Sequence, residues 1–204
     1  LGGFGTRARR GGGNIEVLNC DGDLVDGVEF IPSNSISSKE NLASWLKNNN
    51  IDSIKRMIDQ RNGGPIKYPN LRDSKIIILE PKESWQKALN EIGNVFQNFR
   101  REYKSDIFNI GAFGMPIMHN RSKMRIVPYE NNKRISERMS SPLIIKVIKA
   151  GTNYFPVVVK LSTLLPQAGK EEGNKWNKQE VKNITFPKID EFLNNLPNKQ
   201  EILL

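Results

Sequence analysis

The chain has 204 residues, 37% of them hydrophobic and 26% charged, with a formal net charge of +9. That length allows one large or two small domains, and no apolar run approaches the ~20 residues a helical membrane span needs. A single cysteine, Cys20, excludes an internal disulfide and a cysteine-cluster metal site, and fits a reducing compartment. The expectation is a cytoplasmic protein with no membrane partner, no metal and no cofactor.

The positive charge is concentrated. Residues 1–13, LGGFGTRARRGGG, carry Arg7, Arg9 and Arg10 and no acid. Residues 121–149 carry eight Lys/Arg against Glu130 and Glu137. These two stretches hold the whole excess, since the remainder has 20 basic and 20 acidic groups. Two basic segments on a neutral body point to a polyanion partner; the plainer reading is a solvated cationic surface.

Taken in order, the chain opens on a glycine-rich loop. Gly2, Gly3, Gly5, Gly11, Gly12 and Gly13 are six of its 16 glycines. Glycine lets a backbone approach a ligand closely, and the interleaved arginines bring bidentate donors for phosphate. The loop is neither a dinucleotide fingerprint nor a P-loop: Ala8 stands where a third glycine would, and no Gly-Lys-Ser/Thr occurs. Ile15 to Leu18 and Val28 to Ile31 read as short strands. Asp21, Asp23 and Asp26 do not make a calcium loop, because Pro32 stands where its closing acid should be.

Ser38 predicts a helix cap, with Leu42, Trp45 and Leu46 on one face of the helix. Asn48-Asn49-Asn50 is expected to break that helix. A second one starts near Asp52 and ends by Gly63-Gly64-Pro65. Lys75 to Glu80 reads as a buried central strand. The longest helix is expected over 82–103, its Trp85, Leu89, Ile92, Phe96 and Phe99 stripe packed on a sheet built from 75–80, 143–149 and 154–161. Met124 to Val127 reads as a further strand. Ala150-Gly151-Thr152-Asn153 predicts a hairpin turn, and Pro156 predicts an edge strand or a bulge for 154–161. Residues 166–183 read as a polar loop holding Trp176. A helix from Pro187, with Ile189, Phe192 and Leu193, closes the chain.

Catalytic signals are sparse. His119 is the single histidine. It could serve as a general base in an RNA-cleaving site, but a lone histidine beside Gly-Met-Pro-Ile-Met is more often a packed residue. No HExxH, GxSxG or paired carboxylate–histidine pattern occurs. The residues give no affirmative case for an enzyme, and no catalytic residue is assigned.

Three segments together carry a family resemblance. Gly2-Gly3-Phe4-Gly5 through Arg9-Arg10-Gly11-Gly12-Gly13 resembles the glycine-rich loop of the RAMP superfamily of CRISPR proteins. Phe113-Gly114-Met115-Pro116-Ile117 resembles the Gly-Leu-Pro element of one RAMP subfamily. Arg138-Met139-Ser140-Ser141-Pro142-Leu143-Ile144-Ile145-Lys146 resembles its Arg-x-Ala-Ser-Pro-Leu segment. Met115 and Ser140 replace the commoner Leu and Ala. Order and spacing are similar to those of the subfamily that supplies the first RAMP subunit of the Cmr module, the type III-B effector. The resemblance spans residues 1 to about 161.

The resemblance implies an α+β, ferredoxin-like (RRM-like) fold, a mostly antiparallel sheet packed by helices. It implies that the chain is the carboxy-terminal portion of a two-domain protein, with 1–31 finishing a first domain and 32–204 forming the second. It further implies an RNA-binding subunit of an antiviral effector that holds guide RNA and target single-stranded RNA without cutting them, beside other RAMP subunits. The expected RNA contacts are Gly3, Gly5, Arg7, Arg9, Arg10, Gly11, Arg134 and Arg138. The alternative is a metal-independent RAMP endoribonuclease that processes guide RNA with His119.

Overall fold

Four consecutive apolar residues, Ile76 to Leu79, leave a strand no polar face, so it must be covered on both sides. In the computed structural model they close β1 (Asn70–Ile78) and its exit. The described residues are 16–19, 21, 28–59, 70–103, 107–119, 124–164, 166–173, 180–184 and 187–204. The chain divides into one unit of Leu1–Asn94, Leu143–Thr163 and Leu196–Leu204 and another of Val95–Pro142 and Leu164–Asn195.

In the first unit β1 lies between β6 (Asn153–Ser162) and β9 (Gln200–Leu203), with β5 (Leu143–Ala150) beyond β6, all antiparallel. Ile76, Ile77 and Ile78 stand opposite Val159, Val158 and Val157. One face gathers Ile76, Ile78, Val157, Val159 and Ile202 with Leu42 and Ala43 of α1 (Lys39–Leu46). Ile77 and Val158, which alternate to the other face, are also fully buried. The expected sheet of three runs is therefore present, and β9 joins it as a strand the sequence does not announce. β1 begins before its apolar run because a bulge at Asp73, with φ 56°, lets the pairing continue to Asn70.

Ser38 caps α1 as expected, its side chain accepting from the Asn41 amide. The three asparagines do not break the helix. The path continues through a π-helical turn, Lys47–Ile51, into α2 (Asp52–Asp59). That turn presents Asn49 to Glu29. The Glu29 carboxylate accepts from Trp45 Nε1 at 2.7 Å and Asn49 Nδ2 at 2.9 Å, and its amide donates to the Asn49 carbonyl. The backbone of 28–30 is thus bonded to the helical segment rather than to a strand. Residues 16–18 are not a strand either.

Pro156 does not place β6 at an edge; β6 lies inside its sheet. The Pro156 carbonyl accepts from Leu79 N at 3.0 Å, on the side where β1 has just ended. A residue's N–H and C=O point the same way in a strand, so the donor Pro156 lacks would face Leu79, just past the end of β1, and pairing with Val147 of β5 on the other side continues. The β5–β6 hairpin turns at Gly151-Thr152, as expected. Gly151 has φ 58°, and a Cβ there would meet the Asn34 carbonyl oxygen at 2.8 Å. Both the backbone conformation and the close approach require glycine.

The second unit has β2 (Ile117–His119), β3 (Met124–Glu130), β7 (Ala168–Glu172) and β8 (Val181–Asn183) in that order, with β4 (Lys133–Arg134) hairpinned onto β3. Residues 166–183 were expected to be loop; 168–172 and 181–183 instead pair as β7 and β8. Their polar sequence is that of short strands near a sheet edge, where one side faces water. Gly169 fits because a Cβ would come within 2.6 Å of Ile126 Cγ2.

α3 (Trp85–Glu102) is the expected long helix, but its stripe is not all core: Trp85 is 52% exposed. In its second half, Phe96 and Phe99 meet Phe113 and Phe192 edge to face, with Tyr103 tilted against Phe99. Centroid separations are 4.9–5.8 Å. These rings therefore pack on the 3-10 segment Ile107–Phe113 and on α4 (Pro187–Asn194), partners that the spacing of the stripe does not name. α4 buries Ile189, Phe192 and Leu193, as its spacing predicts.

Candidate nucleic-acid interface

The two distant motif segments meet within the second unit. Phe113, first of its motif, is buried in the ring cluster. The chain then turns at Gly114, with φ 121°, and runs through Met115 and a cis peptide bond to Pro116. Met115 and Met139 exchange two backbone hydrogen bonds, each 2.9 Å long. A Cβ on Gly114 would stand 3.2 Å from Ser141 N and 3.3 Å from Met139 O. The glycine of one motif is thus required by the backbone of the other.

The approach to Met139 is fixed as well. β3 and β4 are joined by Asn131-Asn132, at φ 49° and 59°, the paired left-handed conformation of a tight hairpin that asparagine tolerates. Arg134 follows, and its Nε donates to the Ser136 carbonyl at 3.3 Å. The Ser136 hydroxyl donates to the Arg138 carbonyl at 2.8 Å and accepts from the Arg138 amide at 3.2 Å. Arg138 therefore sits between a hydroxyl-stapled turn and the Met139–Met115 pairing. Arg138 and Ser140 are exposed, while Met139 and Ser141 are half-buried.

The cations of this unit differ in availability. Glu172 on β7 takes Arg125 Nη2 at 3.2 Å and Arg134 Nη1 at 3.6 Å through one oxygen, and Arg134 also pairs with Glu137 at 3.3 Å. Lys133 and Arg138 are exposed and make no ion pair among the described residues. Two lysines of the basic segment belong to the first unit and serve its sheet. Lys146 is 6% exposed, and desolvation lowers its pKa below the ordinary lysine value. Lys149 pairs with Glu16 at 2.9 Å, and that hydrogen bond raises its pKa.

Of the RNA contacts expected from the sequence, Arg134 and Arg138 fall on one stapled turn. Gly3, Gly5, Arg7, Arg9, Arg10 and Gly11 lie outside the described residues, as do Trp176, Asp106, Arg121 and Lys123. Most of the expected first domain, 1–31, also lies outside that set. His119 ends β2, opposite Met124 in the ladder. Among the described residues no three His, Cys, Asp or Glu side chains gather, and no helix is long and apolar enough to cross a membrane. Ser136 and Glu172 were missed. Arg134-x-Ser136-x-Arg138 carries a local signal, a hydroxyl able to close a short turn. Glu172 carries none, because its arginines come from other strands.

Antiparallel sheets packed by helices, with a Gly-Met-Pro turn bonded to an Arg-Met-Ser-Ser-Pro segment, define an α+β protein of the fold the RAMP resemblance implies. No family model matches the sequence. The particular protein it resembles is Cmr1 of Pyrococcus furiosus. The curated protein "CRISPR system Cmr subunit Cmr1-1" is 23% identical over 190 residues, covering 87% of this chain and 50% of its own length. The crystal structure of Cmr1 from the same organism, in its apo form, matches with a TM-score of 0.53 at 18% identity. That match covers 98% of this chain and 54% of Cmr1. The chain thus spans about half the length of the relative it matches, and it has the expected ferredoxin-like α+β fold.

Proposed function

We propose that this protein is an RNA-binding subunit of a type III-B CRISPR (Cmr) effector complex, holding guide and target RNA without cutting them. The observation that carries this reading is the stapled turn 134–138, locked by Met139 to the Gly-Met-Pro motif and bearing an exposed arginine with no ion pair among the described residues. It stands on a fold shared with Cmr1. A guanidinium on a fixed backbone suits phosphate oxygens, which bind without regard to sequence. Arg7, Arg9 and Arg10, on a glycine-rich segment, suit the same chemistry. Guide RNA, target RNA and the other effector subunits are its partners in this reading. Catalysis is assigned to none of its residues.

The test is a titration of labelled single-stranded RNA at several salt concentrations. Each lost phosphate contact lowers the log–log salt slope by ~0.7 for single strands. Arg7/Arg9/Arg10→Ala is expected to flatten that slope by about two and to weaken binding alike for unrelated sequences. A wild-type chain that shows no salt-dependent RNA binding overturns the proposal. RNA cleavage by the chain alone, abolished by His119→Ala, favours the endoribonuclease instead.

A further inference from the structure

Alternation along the bridged segment has a specific consequence. Arg138 and Ser140 are exposed, while Met139 and Ser141 between and after them are half-buried. In extended backbone, residues two apart share a face. The two exposed side chains therefore project together, a guanidinium with its five donors and a hydroxyl with one. Behind them the main chain is held twice, by Ser136 on Arg138 and by Met115 on Met139. The neighbouring Arg134 is engaged by Glu137 and Glu172. Arg138 has no ion pair among the described residues to exchange before it can bind an anion.

We propose that Arg138 and Ser140 form a seat for one backbone phosphate of a single-stranded RNA, with Ser136 as its positioning residue. This rests on the RNA-binding reading and adds to it two serines and a division of labour. Arg138 supplies charge and bidentate donors. Ser140 supplies a neutral donor to a second oxygen of the same phosphate. Ser136 touches no RNA; it fixes the backbone from which Arg138 extends, which reduces the ordering cost of binding.

The division of labour makes the seat testable in the same salt titration, with thermal melting to confirm that each variant is folded. Arg138→Ala is expected to weaken binding on the order of tenfold, as for loss of a charged hydrogen bond, and to lower the salt slope by about 0.7. Arg138→Lys keeps the slope but recovers only part of the affinity, since a point charge cannot bind bidentately. Ser140→Ala weakens binding by roughly threefold to fivefold with the slope unchanged, because a neutral hydrogen bond displaces no counterion. Ser136→Ala does the same, and Ser136→Thr, which retains the hydroxyl, restores it. Lys87→Ala, an exposed cation paired with Glu83 in the first unit, measures generic charge loss. If Arg138→Ala matches Lys87→Ala while the wild type binds RNA, the seat is wrong and the RNA-binding reading stands. If Ser140→Ala and Ser136→Ala leave affinity unchanged, the assigned roles of the serines are wrong. A wild-type chain that binds no RNA overturns both.

Discussion

In the first unit's sheet the lysines are used by the fold. Lys75 pairs with Glu201 across β1 and β9, Lys149 with Glu16, and Lys146 is buried within β5. In the second unit's sheet Lys133 and Arg138 stand in solvent, and Arg125 and Arg134 share one carboxylate oxygen of Glu172. In the sequence Arg125, Lys133, Arg134, Arg138, Lys146 and Lys149 count alike toward one basic excess. Availability to a polyanion depends on what each cation already holds, and that is decided by cross-strand neighbours remote in sequence. The first sheet draws its stability from long apolar strands buried on both faces. The second has short strands, and its motif segments rest on backbone pairing and one glycine.

The contrast is broken most severely in β1. Ile77 is fully buried there, opposite Val158, which is fully buried too. Ile77→Ala is expected to cost about 2–5 kcal/mol in a thermal or urea unfolding experiment. A loss below ~1 kcal/mol would deny that β1 is the first unit's core.

Next in size is Gly114→Ala. Its φ of 121° is a conformation side chains rarely adopt, and a Cβ would crowd Ser141 N and Met139 O at 3.2–3.3 Å. A cost of about 1–3 kcal/mol is expected from the strained conformation, together with loss of protection of the Met115 and Met139 amides in hydrogen exchange. Unchanged protection would show that the two motifs do not depend on this glycine.

The smallest effect sharpens the contrast between paired and unpaired cations. Glu172→Gln removes the charge that Arg125 and Arg134 share. Because these side chains are part-exposed, the stability change is expected to stay within about 1 kcal/mol. The RNA salt slope, by contrast, should steepen by ~0.7 for each arginine that gains a phosphate. A slope identical to the wild type would mean that the two arginines are structural in any state.

Much of the fold was legible because the physics there is local. Ser38 signals its cap, Ile76 to Leu79 a doubly covered strand, Gly151-Thr152 a hairpin, and Ile189, Phe192 and Leu193 a buried helix face. What was misread depends on distant partners. Pro156 looked like an edge residue, yet β1 ends where its missing N–H would point. Trp85 continued the α3 stripe by spacing, but nothing local says where cover stops. β7 and β8 are short and polar and β9 has only four residues, so only pairing makes them strands. At the candidate site the motifs were recognisable one by one. That Gly114 fits against Ser141 was not, since no sequence interval reports a contact between backbones.

The π-helical turn Lys47–Ile51 bears on how this chain can change its length. A π turn holds one residue more than the α-helical path it replaces. Deleting any one of Asn48, Asn49 or Asn50 would therefore let α1 and α2 merge into a single regular helix. The buried Ile51 and Ser53 would keep their side of it, because the residue removed is the surplus one. A deletion inside α1 or α2 has no such slack, and every residue beyond it would rotate by about 100° about the axis. What the merged helix gives up is the bulge that meets Glu29. Three identical neighbours also make the product the same whichever codon is lost, so this turn is where the helical segment can shed a residue without re-aiming its buried face.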